Sequence, residues 1–344
     1  MSIMDNRVDT AYIGTINEHI IESDALRGNP LGDAAARPLV VYTPPGYDDD
    51  LDRRYPSIYV IQGYTGQVAM WWNRSPFKPL YPKVVDDLFA NTDTPPCLVV
   101  YVDAWTTYGG SQYVDSIGTG RYHTYLCEDV VSFVDNHYRT LNDPAHRGIQ
   151  GKSSGGFGAM ITPMLRPDVF GALASHAGDS LYELCYGASF GEAARLLRNW
   201  DGSPEIWWND FRKRPAFSHP ADMTLLGLYG VAACFSPDKN SRPVLPFDTR
   251  SGRLLDDVWA QWLEWDPVRM VRRHATALQG LKGIWLDAGR NDEYYLDLGA
   301  QAVVDELAAI GVHDVAFELF DGKHGGIDYR YPLSLAFLAN RLQP

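Results

Sequence analysis

Residues 148–158 are Gly-Ile-Gln-Gly-Lys-Ser-Ser-Gly-Gly-Phe-Gly and contain Gly151-Lys152-Ser153-Ser154-Gly155, a G-x-S-x-G pentapeptide. A serine hydroxyl is a weak nucleophile until a base and a fixed geometry activate it. Between a strand and a helix this pattern supplies the geometry: the turn holds the hydroxyl clear of the backbone, and the flanking glycines avoid clashes within it. Ser153 is therefore the candidate nucleophile. Such a serine needs a general base and an acid that orients the base. In one arrangement these follow in the order Ser, Asp/Glu, His, each on a loop after a strand. Asp292, in Asp287-Ala-Gly-Arg-Asn-Asp292-Glu-Tyr, follows the apolar run 284–286, and His324, in Asp321-Gly-Lys-His324-Gly-Gly, follows the run 315–319. Of nine histidines, His324 alone combines a late position, a post-strand loop and a flanking glycine. Asp179 is the competing acid, Asp287 is assigned to capping a strand end, and Glu293 to facing the next helix. A base that must be neutral predicts activity falling below about pH 6–7.

The oxyanion formed on attack needs two backbone N–H donors. Ser154, directly after the nucleophile, supplies one. Tyr64, in Gln62-Gly63-Tyr64-Thr65-Gly66 after the run 58–61, is the candidate for the other, with Gly63 leaving room for close approach. Trp71 and Trp72 are candidates for one wall of the substrate pocket, with core packing as the competing assignment. Two look-alikes drop out. A phosphate-binding P-loop ending at Lys152-Ser153 would need glycine at 146, which is His146. Ser154 as nucleophile would need glycine at 152, which is Lys152.

The elements needed to hold these residues are legible in the hydrophobic pattern. Runs at 39–42, 58–61 and 97–102 are rich in β-branched and aromatic residues and bounded by turn signals, as strands are. Residues 148–150 form a shorter run leading into the pentapeptide, and 172–176, 284–286 and 315–319 are further strands. Leu126, Val130, Val134 and Tyr138 recur every fourth residue and predict an amphipathic helix before the pentapeptide. Helices are also expected over 154–165, 296–310 and 331–342. Strands alternating with helices imply an α/β fold with a mostly parallel central sheet and helices on both faces. From about 180 to 265 the rhythm breaks. That stretch holds Trp200, Trp207, Trp208, Trp259, Trp262 and Trp265, six of the ten tryptophans. It is too long for a simple loop. It is expected to be a mainly helical cap inserted within one 344-residue domain, burying its own aromatics, lining an apolar pocket, or both.

Composition narrows the function classes. A formal charge of −13 argues against a nucleic-acid partner. No stretch approaches a transmembrane span. Residues 1–22 carry charges and no apolar core of signal-peptide length, so a cytoplasmic, reduced protein is expected. Cys97, Cys127, Cys185 and Cys234 show no metal-type spacing, and Cys97 and Cys127 fit buried small hydrophobes. No metal or organic cofactor is implied.

Taken together these residues resemble the esterase D / putative esterase family of α/β-hydrolases, which includes S-formylglutathione hydrolases, enterochelin-type esterases and mycolyltransferases. Tyr55-Pro-Ser-Ile-Tyr-Val-Ile-Gln62-Gly63 is similar to the family's strand-and-oxyanion segment, and Gly120-Arg-Tyr-His-Thr-Tyr125 to the start of its helix before the elbow. Gly151–Ala159 is similar to its elbow, and Asp292 and His324 fall at its acid and base positions. The likeness covers roughly residues 37–178 and 266–342. Gln62 stands where the family often has histidine, Lys152 and Ser154 are unusual around the serine, and the long insertion is not typical of compact members. The resemblance implies a serine carboxylic ester hydrolase acting on a small-molecule ester through an acyl-enzyme. Transfer to another acceptor, peptide hydrolysis and a non-catalytic ligand-binding role remain open alternatives.

Overall fold

The computed structural model describes residues 11–344; the first ten, part of the N-terminal stretch considered above for a signal segment, lie outside the described residues. Eight strands form one sheet: β1 (Thr15–Glu22), β2 (Ala36–Thr43), β3 (Ser57–Ile61), β4 (Leu98–Val102), β5 (Arg147–Lys152), β6 (Ala172–His176), β7 (Gly283–Gly289) and β8 (Val315–Phe320). Their order across the sheet is β1-β2-β4-β3-β5-β6-β7-β8. β2 runs antiparallel to β1 and β4, and the other pairs are parallel. Every residue of β3 and β4 is buried. Continuous Val/Ile/Leu runs of this kind are what strands covered on both faces require. In the edge strand β1, TINEHIIE, only Ile21 is buried, so it lacks the apolar run by which the others are recognised.

One face of the sheet packs against the helix Ser154–Leu165 and the helical stretch before it; the other packs against Tyr81–Asn91 and Tyr331–Arg341. The helix before the pentapeptide runs from Tyr122 to His137 with a π-helical turn at Tyr125–Val130, so Tyr138 lies just beyond it, in extended conformation. Between β6 and β7 the chain forms helices, among them Tyr182–Cys185, Phe190–Leu197, Pro204–Phe211, Asp222–Phe235 and Asp256–Leu263. Trp207, Trp208, Trp259 and Trp262 are buried there against Phe190, Phe211, Tyr229 and Phe235.

The topology fixes where a site can form. From β3 the chain crosses to β4 on one side and later to β5 on the other. The loops leaving β3 and β5 therefore diverge and open a crevice beyond their carboxyl ends, the usual ligand position in open α/β sheets. Among the described residues no helix is long and apolar enough to cross a membrane.

Candidate active site

Ser153 sits between β5 and the helix Ser154–Leu165 with φ 58° and ψ −127°. A non-glycine residue in this region is strained, and it persists only where its surroundings enforce it. They do so here. The Ser153 N–H donates to the carbonyls of His176 and Ala177 at 3.0 and 3.1 Å, and its own carbonyl accepts the Phe157 N–H at 2.8 Å. The glycines of the pentapeptide are required by close approach. A Cβ on Gly151 would lie 2.4 Å from the Gly155 carbonyl oxygen, and one on Gly155 would lie 2.6 Å from that of Ile61.

The loops after β7 and β8 bring the other two candidates to this serine. Gly289 allows the two loops to touch, since a Cβ there would meet the Gly322 backbone at 2.5 Å. The Arg290 and Asn291 N–H groups then bond the carbonyls of Phe320 and Gly322 at 2.8 and 2.9 Å. His324 Nε2 lies 3.1 Å from Ser153 Oγ, and His324 Nδ1 lies 2.8 Å from Asp292 Oδ2. Asp292 is buried, and its Oδ1 accepts the Tyr294 N–H at 2.9 Å. With that carboxylate on Nδ1, the ring carries its proton there and offers Nε2 as an acceptor to the serine hydroxyl. The Tyr294 ring stands edge-on to the imidazole at 4.9 Å between centroids.

Beside them, the N–H groups of Tyr64 and Ser154 make no hydrogen bond among the described residues. Gly63 packs so closely that a Cβ would lie 3.0 Å from the Lys152 carbonyl oxygen and 3.4 Å from Ser153 Cβ. The Tyr64 hydroxyl lies 2.6 Å from the carbonyl oxygens of Tyr108 and Leu226, tying this loop to the helix Asp222–Phe235. Asp103 holds the loop's far end by accepting the Val68 N–H at 2.8 Å. Gln62 is buried, and its carbonyl accepts the Tyr113 hydroxyl at 2.6 Å. Ser153, Ser154, Tyr64 and His324 face a cleft of about 380 Å³ whose walls include Met223, Leu228, Val231 and Leu296.

A sequence profile described as "Putative esterase" matches residues 35–330. The chain belongs to this family. Over 134 residues it is 24% identical to an endo-1,4-beta-xylanase/feruloyl esterase of Xylanibacter ruminicola, covering 38% of this chain and 18% of that protein. Over 143 residues it is also 24% identical to an uncharacterised protein of Corynebacterium glutamicum, covering 42% of this chain and 33% of that one. The chain thus matches a third or less of the length of these relatives. Among solved structures, a ferulic acid esterase superposes with a TM-score of 0.60 at 18% identity, covering 97% of this chain and 100% of that one. The S-formylglutathione hydrolase of Agrobacterium tumefaciens gives 0.56 at 16% identity, covering 97% and 98%. These likenesses establish the α/β-hydrolase fold.

Several residues of this chain sit differently from expectation. Trp71 borders the cleft while packing against Tyr81, Tyr101 and Tyr331, so it belongs to both wall and core. Trp72 does not reach the cleft. It faces a separate hollow with Tyr12, Ile16 and Arg74, because neighbouring residues of the 3₁₀ turn Val68–Trp72 point about 120° apart. The cap tryptophans are absent from the cleft wall, and the helix Asp222–Phe235 supplies its aliphatic side chains instead. Glu293 turns back to accept the His324 N–H at 3.0 Å rather than facing the next helix; that bond leads in holding its carboxyl below the usual range. Lys152, unusual beside the serine, borders the cleft, and burial lowers its pKa.

Asp287 is not a strand cap. It lies within β7, where Oδ1 meets His176 Nδ1 at 2.6 Å and Oδ2 accepts from Arg330 and the Trp285 indole. Burial would raise its carboxyl, but His176, Trp285 and Arg330 outweigh that and hold it below the ordinary value. His176 Nε2 lies 2.8 Å from Ser334 Oγ, so Ser334, His176 and Asp287 form a second Ser-His-Asp chain. It is sealed: Ser334 and His176 have no exposed surface. Ser334 lacks the glycine frame of Ser153, and His176 lies within β6 rather than on a loop after a strand.

Proposed function

We propose that this protein is a serine esterase, a hydrolase of carboxylic esters working through an acyl-enzyme, with Ser153 as nucleophile, His324 as general base and acid, and Asp292 as the group that orients it. The observation carrying this reading is the continuous hydrogen-bonded chain from Ser153 through His324 to Asp292, open to the cleft. Ser153 Oγ attacks the ester carbonyl as His324 Nε2 takes its proton. The free N–H groups of Tyr64 and Ser154 receive the developing oxyanion, where preorganised donors are worth most. His324 then delivers the proton to the departing alkoxide, leaving the acyl group on Ser153. Water activated by the same imidazole completes hydrolysis. Trp71 forms part of the substrate wall, and the helical segment over 180–265 acts as a cap that shapes it. A cleft of this size suits a small-molecule ester. The four buried, unpaired cysteines accord with a reducing, cytoplasmic setting. Replacing Ser153 with alanine should abolish turnover of p-nitrophenyl acetate while circular dichroism stays unchanged; turnover retained by the variant refutes the assignment.

A further inference from the structure

One polar group in the cleft has no part in acyl transfer. Asp179, on the loop after β6, lines the cleft beside Ser153 and Ser154 and is 5% exposed. Its two oxygens have unequal surroundings. Oδ2 accepts from the Tyr186 hydroxyl at 2.7 Å, the Ser154 hydroxyl at 3.1 Å and the Gln112 amide at 3.5 Å. Oδ1 accepts from no described residue, and no lysine or arginine among the described residues pairs with the carboxyl. It is also not the orienting acid, since His324 Nδ1 is on Asp292.

Oδ1 is open to the cleft, where a ligand donor that replaces water gains a charge-assisted hydrogen bond. Burial pushes the Asp179 pKa upward, against its hydrogen bond from Tyr186 and the nearby His324. The backbone that carries its Gln112 partner is strained as well: Gln112 and Tyr113 adopt φ of 50° and 52°. Strain of this kind clusters at ligand-binding positions. Leu228, Val231 and Leu296 give the same cleft an apolar wall, and the hydroxyls of Ser189, Thr224 and Tyr294 make no hydrogen bond to Asp179. What completes the site is therefore a ligand arm that is apolar along its length and ends in a donor.

We infer that Asp179 is a specificity-determining acceptor that selects esters carrying a hydroxyl or ammonium group on the arm entering this part of the cleft, which donates to Oδ1. This rests on the assignment of Ser153 as the esterase nucleophile. Two matched ester series test it. One keeps p-nitrophenolate as leaving group and compares heptanoyl, 6-hydroxyhexanoyl and 6-aminohexanoyl chains. The other keeps an acetyl group and varies the alcohol arm in the same three ways. In one series the donor-ended ester should exceed its methyl-ended counterpart in kcat/KM by about ten- to a hundredfold. Asp179→Ala should erase that ratio. Asp179→Asn keeps an acceptor without the charge, so a hydroxyl preference survives it and an ammonium preference falls. Equal turnover of donor- and methyl-ended esters in both series, or a preference unchanged in Asp179→Ala, overturns the inference. If the wild type hydrolyses no ester, it is the hydrolase assignment that fails. The subsite is then decided by calorimetric titration with the amide isosteres of both series. Tighter binding of donor-ended amides, lost in Asp179→Ala, supports it, and equal binding refutes it.

Discussion

Replacing Asp292 with asparagine puts the orienting role to a quantitative test, because both carboxylate oxygens are in use. Oδ2 receives His324 Nδ1 at 2.8 Å and Oδ1 receives the Tyr294 N–H at 2.9 Å. An amide has one oxygen for these two donors. If that oxygen stays on Tyr294, the NH₂ group faces Nδ1 and forces the imidazole proton onto Nε2. The ring then presents a donor to Ser153, a tautomer that lowers kcat by about 10⁴-fold, or about 5.4 kcal/mol. If the amide rotates, His324 keeps its proper tautomer, but the NH₂ group abuts the Tyr294 N–H. The Asp292 side chain has no exposed surface, so water cannot relieve that conflict. Leaving such a donor unpaired costs about 1–3 kcal/mol, or about 5- to 150-fold. The rotated form also loses the negative charge that stabilises the imidazolium. The cheaper route sets the lower bound, so kcat for p-nitrophenyl acetate should fall by at least about fivefold and at most about 10⁴-fold, with KM little changed. Glu293→Gln is the control, since Glu293 meets the His324 backbone N–H and the exposed Lys323 ammonium but not the imidazole; its loss should stay within about tenfold. A loss below about threefold in Asp292→Asn, with circular dichroism intact, would refute Asp292 as the orienting acid.

Other consequences are open to simple measurements. Gly155→Ala should abolish activity and lower the urea midpoint, because its Cβ would meet the Ile61 and Gln62 carbonyl oxygens at 2.6 and 2.8 Å; a fully active, equally stable variant contradicts the packing. Arg330→Met strands the buried Asp287 carboxylate and should cost about 3 kcal/mol in urea unfolding. That is the low end of the usual range, because the Trp285 indole still donates to the same carboxylate oxygen. The depressed Asp287 pKa contributes stability that is present above the ordinary carboxylate value of 3.8 and lost as pH falls through its lower folded value. Wild type should therefore lose stability more steeply below pH 3.8 than Asp287→Asn, and parallel profiles contradict this.

What was legible in the sequence follows from physics that acts locally. Strands buried on both faces announce themselves as β-branched runs, so β3, β4 and β6 could be placed almost to the residue. β1, with only Ile21 buried, has no such run and escaped notice. The Ser153 turn was legible because close backbone approach demands Gly151 and Gly155, a constraint that shows in residue type. Trp72 could not be placed, since one step along a 3₁₀ turn decides which side of the loop it faces. The roles of Asp287 and Glu293 depend on which loop folds back on them, and only long-range contacts fix that. Asp179 was visible as an acid after a strand. That one of its oxygens is saturated and the other open is a tertiary fact. The sealed Ser334-His176-Asp287 chain makes the same point, because only long-range contacts bring its three residues together.

The central claim is that Ser153 alone carries the acyl group, and it is tested most directly by labelling with a fluorophosphonate followed by peptide mapping. The account predicts one adduct per chain, on the peptide bearing Ser153, abolished in Ser153→Ala and never found on Ser154 or Ser334. An adduct on either of those serines, or labelling that survives in Ser153→Ala, would contradict it.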